Sequence, residues 1–222
     1  MLKICIGYDP RETVAYHVLC HSILRQSRKP VSFIPINKRM IPDFTRGMED
    51  GSTEFSFSRF LTPYLSGYTG QSIFMDCDML VRGDIHDVLD YCDLRHDVFV
   101  VKHSYKPKTE KKFLGNVQSP YPKKNWSSFM VFNNFSAPCR RLTTETVSVA
   151  PGSYLHQFKW TTEDRVGELP KDWNHLVSEY PNNKNARVIH YTLGTPCFDG
   201  YKAQEWATEW YEEKELMNHA DQ

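Results

Sequence analysis

Two aspartates one residue apart interrupt an otherwise apolar stretch of the chain. Asp76 and Asp78 follow residues 72–75, and hydrophobic chain resumes at Met79. A short apolar run that ends in polar residues predicts a buried strand, and ionised carboxylates are costly to bury unless a cation or hydrogen-bond donors compensate. The pattern therefore indicates a divalent metal at the end of the strand, and a substrate that carries phosphate.

The same pattern has two other interpretations. Two aspartates at a strand end can be exposed turn residues with no metal between them. In a phosphatase of the haloacid-dehalogenase type, the first aspartate is the nucleophile, and Thr or Val stands two residues after the second. Leu80 holds that position here, and the pair lies far from the start of the chain. Both differences argue against the phosphatase.

Cys77 lies between the two aspartates and could act as a soft metal ligand. Because successive side chains of a strand point to opposite faces, we expect Cys77 to point away from its neighbours and to pack in the core. The six cysteines form no Cys-X-X-Cys pair, and a chain of this size does not need disulfides. We therefore expect reduced thiols.

The N-terminal segment predicts a strand, a turn and a helix. Residues 2–7 are predicted to form a buried strand, and residues 11–26 have the apolar spacing of an amphipathic helix. Gly7, Tyr8 and Asp9 lie in the turn between them. In an α/β fold such a turn lies at the carboxyl edge of the sheet, where ligands bind.

His17 and His21 lie four residues apart on the polar stripe of this predicted helix. Such a pair can bind a metal, but the helix offers no third ligand. We therefore expect both histidines on a solvated face.

Further strands and helices alternate along the chain. The apolar patterns predict strands at residues 31–36, 97–102, 129–132 and 187–191. They predict helices at residues 55–65, 84–90, 142–148 and 203–218, the second capped by Asp84 and the last docked on the core through its aromatic residues. Residues 106–124 are rich in lysine and proline, which indicates a mobile loop.

The composition indicates one domain without a dominant charge. The chain has 222 residues, 40% of them hydrophobic, so we expect a single domain over residues 1–222. Its 27 basic and 27 acidic residues cancel, which argues against nucleic acid as a partner. We find no signal peptide and no apolar run of the ~18 residues that a membrane span needs. We expect a cytoplasmic protein with no integral membrane segment.

Several segments, spread over most of the chain, form an ordered series. The aspartate strand is preceded, at residues 56–65, by Ser-Phe-Ser-Arg-Phe-Leu-Thr-Pro-Tyr-Leu. It is followed by Glu163-Asp164, by Leu-Pro-Lys-Asp-Trp-Asn at residues 169–174 and by His-Tyr-Thr-Leu-Gly at residues 190–194. In type and order they resemble glycosyltransferase family eight and its relatives with the GT-A fold. The resemblance implies a single α/β domain of this GT-A (Rossmann-like) kind, with a mixed central sheet flanked by helices.

The resemblance implies a metal site. Asp78 would coordinate Mn²⁺ (or Mg²⁺) most directly, Asp76 would bind the metal and the ribose, and His190 would be a third ligand from a distant strand. Oxygen and imidazole donors suit these cations. Cys77, inside the motif, would lie beside the bound donor. Without a metal, His190 would be an ordinary hydrogen-bonded histidine at a strand edge.

The resemblance also implies contacts to the rest of the donor. Gly7, Tyr8 and Asp9 would contact the nucleobase and the ribose, with Tyr8 stacking and Asp9 accepting hydrogen bonds. Arg59 would reach the phosphate or sugar, or brace Asp76, unless it is a plain surface arginine.

The implied reaction moves a hexose from a nucleotide-diphosphate sugar, such as a UDP-sugar, to a hydroxyl of a glycan, lipid or small-molecule acceptor, with retention. The cation would take up the charge that grows on the departing diphosphate. Glu163 and Asp164 match the position of the catalytic polar group beneath the sugar ring, although they are equally ordinary as the acidic first turn of a helix. A nucleotide-sugar-binding module without turnover would carry the same motifs.

Two positions depart from the relatives. A lysine often follows their late glycine, whereas Thr195 follows Gly194 here, so the amides of these two residues, or a lysine from residues 106–124, would have to hold the diphosphate. The relatives have Asn-Ala-Gly before a strand, and this chain has Ser127-Ser128-Phe129 in its place, which changes the expected contacts to the donor sugar. The donor sugar, the acceptor and the oligomeric state are therefore not identified by the sequence.

Overall fold

The computed structural model describes residues 1–47, 53–109 and 121–219. Its strands are β1 (Leu2–Gly7), β2 (Val31–Ile36), β3 (Gln71–Met75), β4 (Met79–Val81), β5 (Val98–Val100), β6 (Phe129–Asn133), β7 (Val166–Glu168), β8 (His175–Leu176) and β9 (Val188–His190). Its α-helices are α1 (Thr13–Gln26), α2 (Thr62–Leu65), α3 (Ala137–Arg140), α4 (Thr144–Val149), α5 (Gly152–His156) and α6 (Ala207–Asn218).

The larger sheet has the strand order β2-β1-β3-β6-β5-β7. The strands β2, β1 and β3 are parallel, β6 is antiparallel to β3 and to β5, and β7 is parallel to β5. All five residues of β6 and the last four of β3 are buried, as expected for central strands covered on both faces. The sheet is mixed and flanked by helices, which confirms the predicted fold class.

A smaller sheet, ordered β4-β9-β8, lies beside the larger one. The chain leaves the larger sheet at Met75 and enters the smaller sheet at Met79, so Asp76 and Asp78 lie in the crossing between the two sheets. Met79 pairs with His190 in the antiparallel register of β4 and β9. The pairing therefore brings a residue from late in the chain next to the aspartates.

The C-terminal helix docks on the rest of the fold, as predicted, and its partner there is the first helix. Trp210 of α6 is fully buried and belongs to an apolar cluster that also contains Val18 of α1. Glu213 of α6 is 2% exposed and accepts hydrogen bonds from Arg25, and its carboxylate lies 2.5 Å from Nδ1 of His21. The expectation of a solvated face is therefore wrong for His21, which points into the contact between the two helices.

Several predicted elements appear with different ends. The 97–102 strand is only β5, and the predicted 203–218 helix begins at Ala207 because Trp206 adopts a left-handed conformation with φ of 65°. Asp84 caps a 3₁₀ helix (Ile85–Tyr91) through a 3.0 Å bond from the amide of His86. The loop prediction for residues 106–124 falls partly on residues 110–120, outside the described residues.

The predicted helix at residues 55–65 is broken. A 3₁₀ turn (Ser58–Leu61) precedes α2, which has Pro63 in its first turn. Proline has no N–H with which to continue the hydrogen-bond ladder, and the hydroxyl of Thr62 bonds the carbonyl of Arg59 at 2.8 Å instead.

Among the described residues, no helix has both the length and the apolar character needed to cross a membrane.

Candidate active site

Asp76, Asp78 and His190 come together at the end of β3. One ligand atom from each lies within 4.8 Å of the others, and Nε2 of His190 is 3.2 Å from Oδ1 of Asp78. The strand register holds this arrangement, because the amide of Tyr191 donates to the carbonyl of Asp78 at 2.9 Å. Two carboxylates and an imidazole are donors that fit a divalent cation such as Mn²⁺. Among the described residues, no other group of three such side chains lies as close.

A buried asparagine orients the imidazole of His190. Nδ1 of His190 lies 2.8 Å from the amide oxygen of Asn174, whose nitrogen donates to Oγ of Ser128 at 2.9 Å. Because an amide oxygen only accepts, Nδ1 donates the hydrogen bond, and Nε2, on the side of Asp78, is the ring nitrogen that can offer a lone pair to a cation. Asn174 ends the motif at residues 169–174, yet the sequence alone indicated no role for it.

Arg59 braces Asp76 from inside the fold. Its guanidinium lies 2.9 Å from Oδ1 of Asp76 and donates to the carbonyl of Ser127 at 2.9 Å. Arg59 as a whole is 7% exposed. Its guanidinium packs against the ring of Phe74, with 5.0 Å between Cζ of Arg59 and the ring centroid. Arg59 is thus a buried structural partner of the candidate metal site, and its contact with a donor stays a prediction.

Cys77 points away from its two neighbours. It is 1% exposed, and its Sγ lies 3.8 Å from a carboxylate oxygen of Glu12. Burial, followed by the charges of Glu12 and the flanking aspartates, raises the pKa of the thiol well above its ordinary value. The thiol is therefore protonated and packs in the core, as predicted, although Cys77 lies between β3 and β4 and not within a strand. A contact of Cys77 with the donor stays a prediction.

A cavity of about 360 Å³ opens beside the aspartates. Its lining includes Asp76, Asp78, Arg59, Ser127, His156 and Gln157. The sequence analysis identified neither His156 nor Gln157, because α5 and its C-terminus carry no metal or phosphate motif. Their position follows only from the packing of α5 beside the start of β6.

The turn after β1 is held by internal contacts. Burial disfavours the charge on Asp9, but hydrogen bonds from Arg11 outweigh this effect and lower the pKa of its carboxyl. Tyr8 places its hydroxyl 3.3 Å from Oγ1 of Thr13. A Cβ on Gly7 would overlap the ring of Phe55, so packing alone requires glycine there. The nucleotide contacts of Gly7, Tyr8 and Asp9 stay predictions.

Glu163 and Asp164 are exposed and are not among the residues that line the cavity. Lys123 joins Glu163 to this region, because its ammonium contacts the Glu163 carboxylate and donates to the carbonyl of Gln157 at 3.1 Å. The catalytic role of Glu163 and Asp164 stays a prediction.

Gly194 has a φ of 149°, which favours glycine. Its amide donates to the carbonyl of Tyr191 at 2.9 Å. That amide already has a partner within the fold, and its contact with a diphosphate stays a prediction.

A comparison with curated proteins finds a relative by sequence. No family model matches the chain. Protein CDI of Arabidopsis thaliana is 41% identical over 226 residues, which cover 97% of this chain and 87% of that protein.

Three solved glycosyltransferases have similar structures. The galactosyltransferase LgtC, in complex with donor and acceptor sugar analogues, superposes with a TM-score of 0.60 at 14% identity, over 100% of this chain and 98% of LgtC. GlyE of Streptococcus pneumoniae TIGR4 gives 0.63 at 11% identity, over 98% of this chain and 63% of GlyE. The bifunctional enzyme WbbM gives 0.59 at 15% identity, and the chain spans 51% of its length. The fold is thus that of GT-A glycosyltransferases.

Proposed function

The chain belongs to the family of Protein CDI, whose name states no activity, and on the geometry of the site we propose that it is a metal-dependent glycosyltransferase. It moves a hexose from a nucleotide-diphosphate sugar, with UDP as the nucleotide, to a hydroxyl acceptor, and with retention. The observation that carries this proposal is the grouping of Asp76, Asp78 and an oriented His190 beside a cavity, in the fold of glycosyltransferases.

Each residue of the site has a task in this proposal. Asp76, Asp78 and Nε2 of His190 hold the cation, which supplies positive charge where the diphosphate leaves. Arg59 keeps the Asp76 carboxylate in place through its 2.9 Å contact. The turn after β1 receives the nucleoside, because ligands of open α/β sheets lie beyond the carboxyl ends of the strands.

Donor hydrolysis and ligand binding test the proposal. We expect a UDP-sugar to raise the unfolding temperature only when Mn²⁺ is present, because binding to the folded state adds about 2.7 kcal/mol at a hundredfold excess over Kd. We also expect slow release of UDP, which Asp78→Asn abolishes. Asp90→Asn, at an exposed position away from the cavity, is the matched control.

The same experiment separates the alternatives. Mn²⁺-dependent binding without UDP release, even with a panel of acceptors, would indicate a binding module that lacks turnover. Release of phosphate from simple esters, unchanged in a His190→Ala variant, would indicate a phosphatase and contradict the proposal.

A further inference from the structure

Ser127 and His156 form a hydrogen-bonded pair in the wall of the cavity. Oγ of Ser127 lies 2.8 Å from Nδ1 of His156, and both residues line the cavity that contains Asp76. Ser127 is 4% exposed, and the imidazole packs edge-on against Phe57 and Phe60. The pair is therefore fixed before any ligand binds.

The imidazole of His156 is neutral. Burial, and then the positive charges of Arg59 and Arg46, lower its pKa to about 3. A neutral ring has one N–H and one lone pair. Whichever of Ser127 Oγ and His156 Nδ1 donates to the other, the Ser127 oxygen, which has two lone pairs, keeps at least one of them available to the cavity.

The pair lies on a defined side of the metal site. The strand order places β1 on one side of β3 and β6 on the other. Ser127 and Ser128 immediately precede β6, and the carbonyl of Ser128 accepts the amide of Asp76 at 2.9 Å. If the nucleoside lies toward β1 and the diphosphate at the metal, the transferred sugar lies toward β6.

We propose that Ser127, oriented by His156, accepts a hydrogen bond from one hydroxyl of the transferred sugar and thereby selects donors that carry that hydroxyl. This inference rests on the proposed function. A sugar that lacks this hydroxyl leaves the buried Ser127 oxygen without a hydrogen-bond partner, which costs free energy of binding. Polar pockets discriminate against such sugars for this reason.

The test compares the affinity for UDP with the affinity for UDP-sugars in the presence of Mn²⁺. The ligands are UDP, UDP-glucose, UDP-galactose and their monodeoxy analogues. In Ser127→Ala we expect unchanged affinity for UDP and about fivefold lower affinity for the preferred UDP-sugar, as for the loss of one neutral hydrogen bond. For one monodeoxy analogue, the variant and the wild type should bind equally.

Two further variants sharpen the comparison. Ser72→Ala removes a buried hydroxyl that bonds Asn134 outside the cavity and should leave all ligands unaffected. His156→Phe should weaken sugar binding less than Ser127→Ala, and the double variant should lose no more than Ser127→Ala alone, because both act on one hydrogen bond.

Two results would overturn the inference. If Ser127→Ala lowered the affinity for the parent UDP-sugar and for every monodeoxy analogue by the same factor, Ser127 would bind no hydroxyl of the sugar. The proposed function would then stand. Absence of Mn²⁺-dependent binding of UDP by the wild-type chain would overturn both proposals, and the two failures are thus distinguishable.

Discussion

At the scale of single residues, the candidate metal site depends on a side chain that is not one of its three candidate ligands. Asn174 is fully buried, and its amide oxygen fixes which nitrogen of His190 carries the proton. Partners of this kind raise the basicity of a ligating histidine and restrict its rotation. Asn174 is therefore a positioning residue for the proposed metal centre.

Replacement of Asn174 should weaken metal binding more than it harms the fold. We expect Asn174→Ala to lower the affinity for Mn²⁺ at least about tenfold, the usual effect of removing such a partner. Asn174→Asp keeps an acceptor for Nδ1 and should retain most of the affinity. Calorimetric titration with Mn²⁺ in the presence of UDP measures both. A folded alanine variant with wild-type affinity would contradict the role of Asn174.

At the scale of elements, an ion pair between a buried aspartate and a partly exposed arginine joins the starts of β5 and β7. Asp97 is fully buried and receives two bonds from the guanidinium of Arg165, at 2.7 and 2.9 Å. Burial disfavours the charge on Asp97, but the bonds from Arg165 and Thr161 prevail and lower the pKa of its carboxyl. The pair fixes the parallel alignment of Val98 with Val166.

The stability of the protein should therefore depend on pH through Asp97. A carboxyl with a lowered pKa in the folded state stabilises above its unfolded pKa of about 3.9, and this contribution disappears as the pH falls below that value. We expect Asp97→Asn to cost about 2 kcal/mol at pH 7 and to flatten the loss of stability below pH 4. Urea unfolding from pH 7 to pH 3 measures this, with exposed Asp90→Asn as the control. Parallel pH profiles for wild type and Asp97→Asn would refute the assignment.

These elements also show how far the sequence predicts the fold and the site. The apolar run before Asp76 was enough to predict the strand β3, and the two aspartates after it indicated a candidate metal site, because burial of charge has few physical solutions. His190 could be assigned only through a resemblance, since the pairing of β4 with β9 is a long-range contact. The broken 55–65 helix and the place of His156 depend on tertiary packing that no local pattern encodes.

At the scale of the whole molecule, the proposed cation would connect the two sheets. Asp76 follows β3 of the larger sheet, whereas His190 belongs to β9 of the smaller one. A cation bound by residues of both sheets stabilises every state in which the sheets stay together, and no state in which they separate.

Hydrogen exchange should detect this connection. We expect Mn²⁺ with UDP to slow exchange of the Tyr191 amide, which bonds Asp78, by up to about a hundredfold at a hundredfold excess of ligand over Kd. His190→Ala should abolish the slowing, and His17→Ala, which changes an exposed histidine, should preserve it. Equal slowing in the His190 variant would show that the cation does not bridge the sheets.

The crossing that carries the two aspartates is only three residues long, from Asp76 to Asp78. Adding or deleting one residue would slide β4 by one position along β9 and turn its alternate side chains to the opposite face. Surface loops in general tolerate changes of length. This connection lacks that tolerance as long as β4 keeps its register with β9, and the constraint would hold whatever reaction the protein performs.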